Sequence, residues 1–302
     1  MTVHDAVEEY LLYIESVRSL SPNSVVACRN DLTQFEHMDF IGPDREISDL
    51  TLEELRMCIG ALSKEKRAPA SINRFISSVR SLFSYCRSFG HIKINPALEL
   101  KNVKNPQRLP AFMTGPEVDK LCALPENHEL LWAKRDKCLF EMMYSSGCRV
   151  SEIAGLKLSD LTSDLSSAVV TGKGDKDRRV YFEKDARHAL REYLIDRKKR
   201  FGSLKKDSSV FVNQRGTSLS VHGIAYILTR YTGSEGTKHH LSPHAFRHTF
   251  ATAMLSNGAD VRIVQELLGH SSISTTQRYT HISTEKMIES YNRAFPHAKK
   301  EK

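Results

Sequence analysis

The residues of this sequence that could do chemistry gather in its second half. His244 and Arg247, in the run HAFRH at 244–248, are three apart and share one face if the run is helical. Arg149 follows Gly147 and precedes an apolar stretch, with Glu152 one turn further on. Lys173 stands in a short glycine-bearing turn, His270 follows Leu267-Leu268-Gly269, and Tyr279 comes nine residues later. Singly, each has an ordinary structural explanation: a surface HxxR pair, an Arg–Glu pair on a helix, a solvated turn lysine, a turn histidine and a half-buried tyrosine. Together they suit phosphodiester chemistry. Two guanidiniums, Arg149 and Arg247, can clamp the non-bridging oxygens of one phosphate and stabilise transition-state charge. His244 and His270 can donate hydrogen bonds or move protons. Lys173 can protonate a leaving oxygen. Tyr279 can attack as the nucleophile, because a positive field lowers the cost of a phenolate whose ordinary pKa is about 10. No carboxylate cluster suited to Mg²⁺ accompanies these residues. No metal or other cofactor is therefore expected, and the cationic side chains take the metal's place.

Elements able to hold these residues can be read from periodicity and caps. Thr114 opens a helix to about Leu124, and residues 136–145 form an apolar helical run stopped at Ser145-Ser146-Gly147. Val150 to Leu158 is an apolar segment just after Arg149. The runs AVVT (168–171) and RVYF (179–182), joined by GKGDKDR, read as two antiparallel strands with Lys173 in their turn. A helix over about 184–200 follows, Ser209–Val212 is a candidate third strand, and helices over about 219–231, 243–256, 260–268 and 284–293 complete the chain. In the first hundred residues, Val7, Tyr10, Leu11 and Ile14 mark one helix, and Ser21-Pro22 opens a second to about Met38. Thr51 with Glu54 is a capping box for a third, to about Glu65. Pro69 opens a fourth, whose stripe Ile72, Phe75, Ile76, Val79, Leu82 and Phe83 runs toward Gly90. The predicted fold is mainly α. It has a four-helix domain over 1–100, a linker over 101–110 (KNVKNPQRLP), and a mixed, mostly helical domain with a small antiparallel sheet over 111–302.

Composition sets outer limits. The 302 residues are 40% hydrophobic and 26% charged, which is ordinary for a folded soluble protein and unlike a disordered one. No run of about 18 apolar residues occurs, and the start MTVHDAVEEYLLYIESV is acidic and amphipathic, unlike a signal peptide. A cytoplasmic protein without a membrane partner is expected. Cysteines at 28, 58, 86, 122, 138 and 148 have neither CxxC nor zinc spacing and read as reduced thiols. The net charge of +8 is uneven: residues 1–100 carry −3 and residues 101–302 carry +11. Positive charge begins near Lys64. A basic surface of this kind suits a polyanion such as nucleic acid, although solvated lysines alone would also account for it. Arg67, Arg74, Arg80 and Arg87 cluster on or just before the fourth helix, and Arg74 and Arg80 are its candidates for DNA contact.

Longer runs carry more than their parts. SPHAFRHTFATAMLSNGADVRIVQELLGHSSISTTQRYTH (242–281) closely resembles the second motif box of the tyrosine recombinases, the phage integrase family, and in particular its XerC/XerD group. SSGCRVSEIAGLKLSDL (145–161) resembles the first box, and GKGDKDRRV (172–180) the β-hairpin lysine segment. LSPNSVVACRNDL (20–32), ASINRFISSVRSLFSYC (70–86) and INPA (94–97) resemble the family's SAM-like core DNA-binding domain, so the match covers nearly the whole chain. The resemblance implies that Arg149, Lys173, His244, Arg247 and His270 assist catalysis, with Lys173 the general acid and Glu152 supporting the site. It implies Tyr279 as the nucleophile that forms a 3′-phosphotyrosyl bond and frees a 5′-hydroxyl. It further implies double-stranded DNA with a short near-palindromic site as partner. Four protomers, all of one kind or mixed with a paralogous recombinase, would exchange strands on two duplexes through a Holliday junction. Neighbouring subunits would trade a C-terminal segment, here 284–302, and a DNA translocase of the FtsK type would be an activator. The biological role implied is resolution of chromosome dimers at a dif-like site during segregation. A mobile-element integrase or transposase is the runner-up, followed by a type IB topoisomerase and a non-catalytic DNA-binding regulator. Two positions depart from the family pattern. Cys148 replaces an aliphatic residue beside Arg149, which raises the question of oxidant sensitivity, and Arg278 precedes the tyrosine where a hydrophobic residue is common.

Overall fold

Caps and apolar stripes build the N-terminal unit. Thr2 and Asp5 form a reciprocal capping box at the start of α1 (Val3–Ser16). Ser21 caps α2 (Pro22–Glu36), which has proline in its first position. Thr51 and Glu54 form the capping box of α3 (Leu52–Lys64), and α4 (Pro69–Ser88) again begins on proline. The computed structural model describes the chain except residues 19, 105–112, 128–130, 173–175, 204, 235–242, 270–283 and 297–302. Two units result, Met1–Arg108 and Leu109–Lys302. In the first, α1, α2 and α3 all pack on α4, whose predicted stripe from Ile72 to Phe83 is buried. Phe35 of α2 meets Phe75 and Phe83 edge-on, each at 6.3 Å between ring centroids. The chain then folds back along α4. Asn73 exchanges hydrogen bonds with the Val103 backbone at 2.8 and 3.0 Å, and Arg80 donates to the Leu100 carbonyl and to Asn102. The first residues of the stretch read as a linker are thus fastened to the helical unit, while 105–110 lie outside the described residues.

The second unit is built around a buried helix. Its elements in order are α5 (Gly115–Asn127), α6 (Ala133–Ser146), α7 (Val150–Gly155), β1 (Ser167–Thr171), β2 (Asp177–Tyr181), α8 (Lys184–Phe201), α9 (Val221–Ser234), α10 (Pro243–Ser256), α11 (Val261–Leu268) and α12 (Thr284–Ala294). Residues 138–146 of α6 are all buried, and α5, α8 and α10 pack against it. Its run ends where Gly147 adopts the left-handed conformation at φ 59°. β1 and β2 pair antiparallel, Ser167 opposite Tyr181 and Thr171 opposite Asp177. The predicted third strand does not form: residues 209–212 make only isolated bridges, Ser209 with Lys157 and Val212 with Ser218. The guanidinium of Arg197 takes the carbonyls of Ser209 and Val210, acceptors that a strand ladder would need. Helix α12 packs into the core of its own unit. Tyr291 and Phe295 are buried there with stacked rings, and the Tyr291 hydroxyl donates to the Ser145 carbonyl at 2.9 Å. No helix among the described residues is long and apolar enough to cross a membrane.

Candidate active site

Three arginines converge on one helix end, and two of them share one carboxylate. The turn at Gly147 delivers Arg149 to the start of α7, where its backbone N–H donates to Glu152 Oε2 at 2.7 Å and its Nη1 to Glu152 Oε1 at 2.9 Å. Arg178, from β2, grips the same carboxylate with both Nη atoms, at 2.7 and 2.9 Å. Arg247, from α10, donates to the Gly147 carbonyl at 2.8 Å. The last carbonyls of α11, which no helical N–H can satisfy, take one arginine each: Leu267 takes Arg178 (2.9 Å), Leu268 takes Arg247 (2.6 Å) and Gly269 takes Arg149 (3.1 Å). The negative end of the helix dipole favours such cations.

The electrostatics follow from this geometry. Three guanidiniums and one carboxylate leave the cluster with a surplus of about two positive charges. Burial alone would raise Glu152. The hydrogen bonds from Arg178 and from the Arg149 backbone outweigh it and hold the carboxyl below its ordinary range. Arg247 is pulled down to about 10, first by burial and then by repulsion from Arg149 and Arg178, and still carries its proton at neutral pH. Among the described residues, Arg149 and Arg247 each commit two N–H groups to protein acceptors, of the five that a guanidinium offers. Donors therefore remain on both for an anion. Arg149 is 31% exposed and Arg178 only 12%.

Of the residues predicted from sequence, the structure brings Arg149, Glu152 and Arg247 into this cluster. His244 is exposed, one turn before Arg247 on α10. Lys173, His270 and Tyr279 lie outside the described residues, but their chain neighbours do not. Gly172, before Lys173, abuts the cluster so closely that a Cβ there would stand 3.4 Å from Glu152 Oε1 and 3.7 Å from Arg149 Nη1. Gly269, before His270, supplies the carbonyl bound by Arg149.

Comparison with known proteins assigns the family. Residues 111–286 match the phage integrase family, and residues 7–89 match the phage integrase N-terminal SAM-like domain. The tyrosine recombinase XerC of Treponema denticola is 43% identical over 306 residues, covering 98% of this chain and 100% of that one. The chain belongs to the phage integrase family, the tyrosine recombinases. The tyrosine recombinase XerD of Lacticaseibacillus casei is 37% identical, with 97% and 99% covered. Among solved structures, the Tn1549 transposon integrase in complex with circular intermediate DNA shares the fold at a TM-score of 0.73 and 18% identity, with 96% and 98% covered. A lambda integrase dimer bound to a COC′ core site does so at 0.71 and 19%, with 94% and 100% covered. This chain is accordingly an enzyme that cuts and rejoins DNA strands.

The cluster holds one residue that does not stand out in the sequence by type or spacing, Arg178. Its signal lay in the strand period: Arg178 and Val180 share one face of β2, and Val180 is buried. The two arginines of α4 put forward for DNA contact have intramolecular partners. Arg74 pairs with buried Asp31 at 2.9 Å, and Arg80 holds Leu100 and Asn102. Cys148 is buried, and burial pushes its thiol up to about 11, so it is a packing residue and not a reactive thiolate.

Proposed function

We propose that this recombinase cuts double-stranded DNA by transesterification through Tyr279, and that it resolves chromosome dimers at a short near-palindromic, dif-like site. The carrying observation is the pair Arg149 and Arg247, fixed by the consecutive carbonyls of Gly269 and Leu268 at the end of α11, each with donors that no acceptor among the described residues takes. In the proposed step the Tyr279 oxygen bonds to the scissile phosphorus as its proton leaves toward His244 or His270. Arg149 and Arg247 hold the non-bridging oxygens, and Glu152 fixes Arg149. The bond to the 5′ oxygen breaks, and Lys173 protonates that oxygen. The 3′-phosphotyrosyl bond conserves the phosphodiester energy, so a 5′-hydroxyl from the partner strand can reverse the step without ATP.

Four protomers, of one kind or two, would act on two duplexes through a Holliday junction. A lambda integrase tetramer bound to a Holliday junction has the same fold, which supports this assembly. Trading the 284–302 segment between subunits would require α12 to leave the core in which Tyr291 and Phe295 are buried. Activation by an FtsK-type translocase, a cytoplasmic setting and DNA contacts from Arg74 and Arg80 belong to the same reading. Similarity to XerC and XerD over nearly the whole of both chains favours the chromosomal role over a mobile-element one.

The test is to incubate the protein with fragmented genomic DNA of its own source, capture covalent adducts and sequence them. One chromosomal site, lost in Tyr279→Phe, is the expected result. Adducts at element ends would favour a mobile-element integrase, and scattered adducts would favour a topoisomerase.

A further inference from the structure

We propose that Arg178 is a positioning residue for strand cleavage: by sharing both oxygens of Glu152, it keeps that carboxylate from fully neutralising Arg149. The inference rests on the proposed role of Arg149 at the scissile phosphate.

The two arginines share Glu152 unequally. Arg178 meets it with two parallel hydrogen bonds, the strongest geometry available to a guanidinium and a carboxylate. The Arg149 guanidinium reaches it with a single nitrogen, on Oε1, while the Arg149 backbone N–H holds Oε2. Arg178 is also the inner of the two, and its third bond, from Nε to the Leu267 carbonyl, ties β2 to the end of α11. Its protein-bound donors point in all three directions of the guanidinium plane, whereas Arg149 and Arg247 keep more donors uncommitted. Arg178 is thus built to compensate a charge, and the other two to receive one. Burial alone would raise Glu152, and hydrogen bonding by Arg178 is the largest of the contacts that keep it ionised.

Removing Arg178 therefore has a specific consequence. The buried carboxylate would keep its bonds to Arg149 and have that guanidinium as the one cation in contact with it among the described residues. Arg149, already paired with Glu152 at 2.9 Å, would then face the whole of its charge and lose much of its attraction for a phosphate. A residue that merely holds β2 in place would not act through the charge of Glu152, and this difference decides the test.

Four proteins are compared on a nicked duplex carrying the site recovered from covalent adducts: wild type, Arg178→Gln, Glu152→Gln and the double variant. Initial rates of adduct formation are read, together with DNA affinity. With Glu152 charged, Arg178→Gln is expected to cut about 10–100-fold more slowly while binding DNA as wild type does. With Glu152→Gln already present, the same change is expected to cost less than about threefold, because no carboxylate remains to neutralise Arg149. Glutamine still caps α7, and the double variant buries no unpaired charge, so it folds even if the single Arg178 variant does not. Full loss on adding Arg178→Gln to Glu152→Gln would overturn the inference, as would wild-type speed in Arg178→Gln alone. A wild-type protein that forms no adduct, or one that survives Tyr279→Phe, would instead overturn the underlying reading of the site.

Discussion

Gly147→Ala should damage both the stability and the cleavage site of this recombinase. Gly147 stands at φ 59°, where a side chain costs about 1 kcal/mol. A Cβ there would also lie 2.5 Å from Phe250 Cδ1, 2.9 Å from Phe250 Cγ and 3.0 Å from Leu268 Cδ2. The Phe250 ring is buried against Tyr291 and Phe295 and has little room to retreat, so overpacking adds about 1–3 kcal/mol. The sum, about 2–4 kcal/mol, corresponds to a fall in Tm of roughly 5–15 °C for a unit of this size. Relaxation would also shift the Gly147 carbonyl that receives Arg247, so cleavage should slow as well. Thermal unfolding of Gly147→Ala is compared with that of Gly155→Ala, a position in the same unit with open space and no left-handed backbone. The control should stay within about 0.5 kcal/mol of wild type. A double variant with Phe250→Leu should lose less than the sum of the two single changes, since the ring is what the new methyl strikes. A Gly147→Ala protein with the wild-type Tm and cleavage rate would refute the packing described around the Arg149 turn.

Other perturbations follow from the same contacts. Glu152→Ala leaves the largely buried Arg178 without its carboxylate, and urea unfolding should show a loss of about 3 kcal/mol. Glu141 is buried, with one oxygen lacking a hydrogen-bond partner among the described residues, and burial followed by the nearby Glu183 pushes its carboxyl up to about 8. An acid raised in this way binds more protons folded than unfolded between its ordinary 4.5 and 8. Its contribution is therefore complete at low pH and declines as pH rises across that window, by up to about 1.4 kcal/mol per unit. Glu141→Gln should flatten the decline measured by urea unfolding from pH 5 to pH 8.5. Cys148 should resist thiol alkylation in the native protein and react only after denaturation, as read by mass spectrometry, with cleavage activity retained through the native treatment.

Local chemistry made much of this protein readable from its sequence. The Thr51–Glu54 box, the proline at the start of α2 and the glycine stop after α6 act within one helical turn, and each element begins or ends where its cap stands. The β1–β2 hairpin was equally local. Arg149, Glu152 and Arg247 stood out as residue types, yet their spacing could not reveal that Arg247 would reach a carbonyl a hundred positions earlier. Nor could it reveal that three successive carbonyls, Leu267 to Gly269 at the end of α11, would collect three arginines. Arg178 does not stand out by residue type, since a charged residue in a short strand usually faces solvent; the shared carboxylate of Glu152 is what draws it into the cluster. The strand anticipated at 209–212 failed for a similarly long-range reason, the intrusion of Arg197.

In the proposed reaction Tyr279 becomes covalently joined to DNA under the field of the arginine cluster. The most direct measurement digests the trapped adduct with protease and nuclease and reads the modified peptide by mass spectrometry. The account predicts a nucleotide attached through its 3′ phosphate to the tyrosine of the peptide containing Tyr279, with no modified peptide from Tyr279→Phe and little from Arg149→Ala or Arg247→Ala. A nucleotide on any other side chain, a 5′-phosphate linkage, or an undiminished adduct in Tyr279→Phe would contradict it.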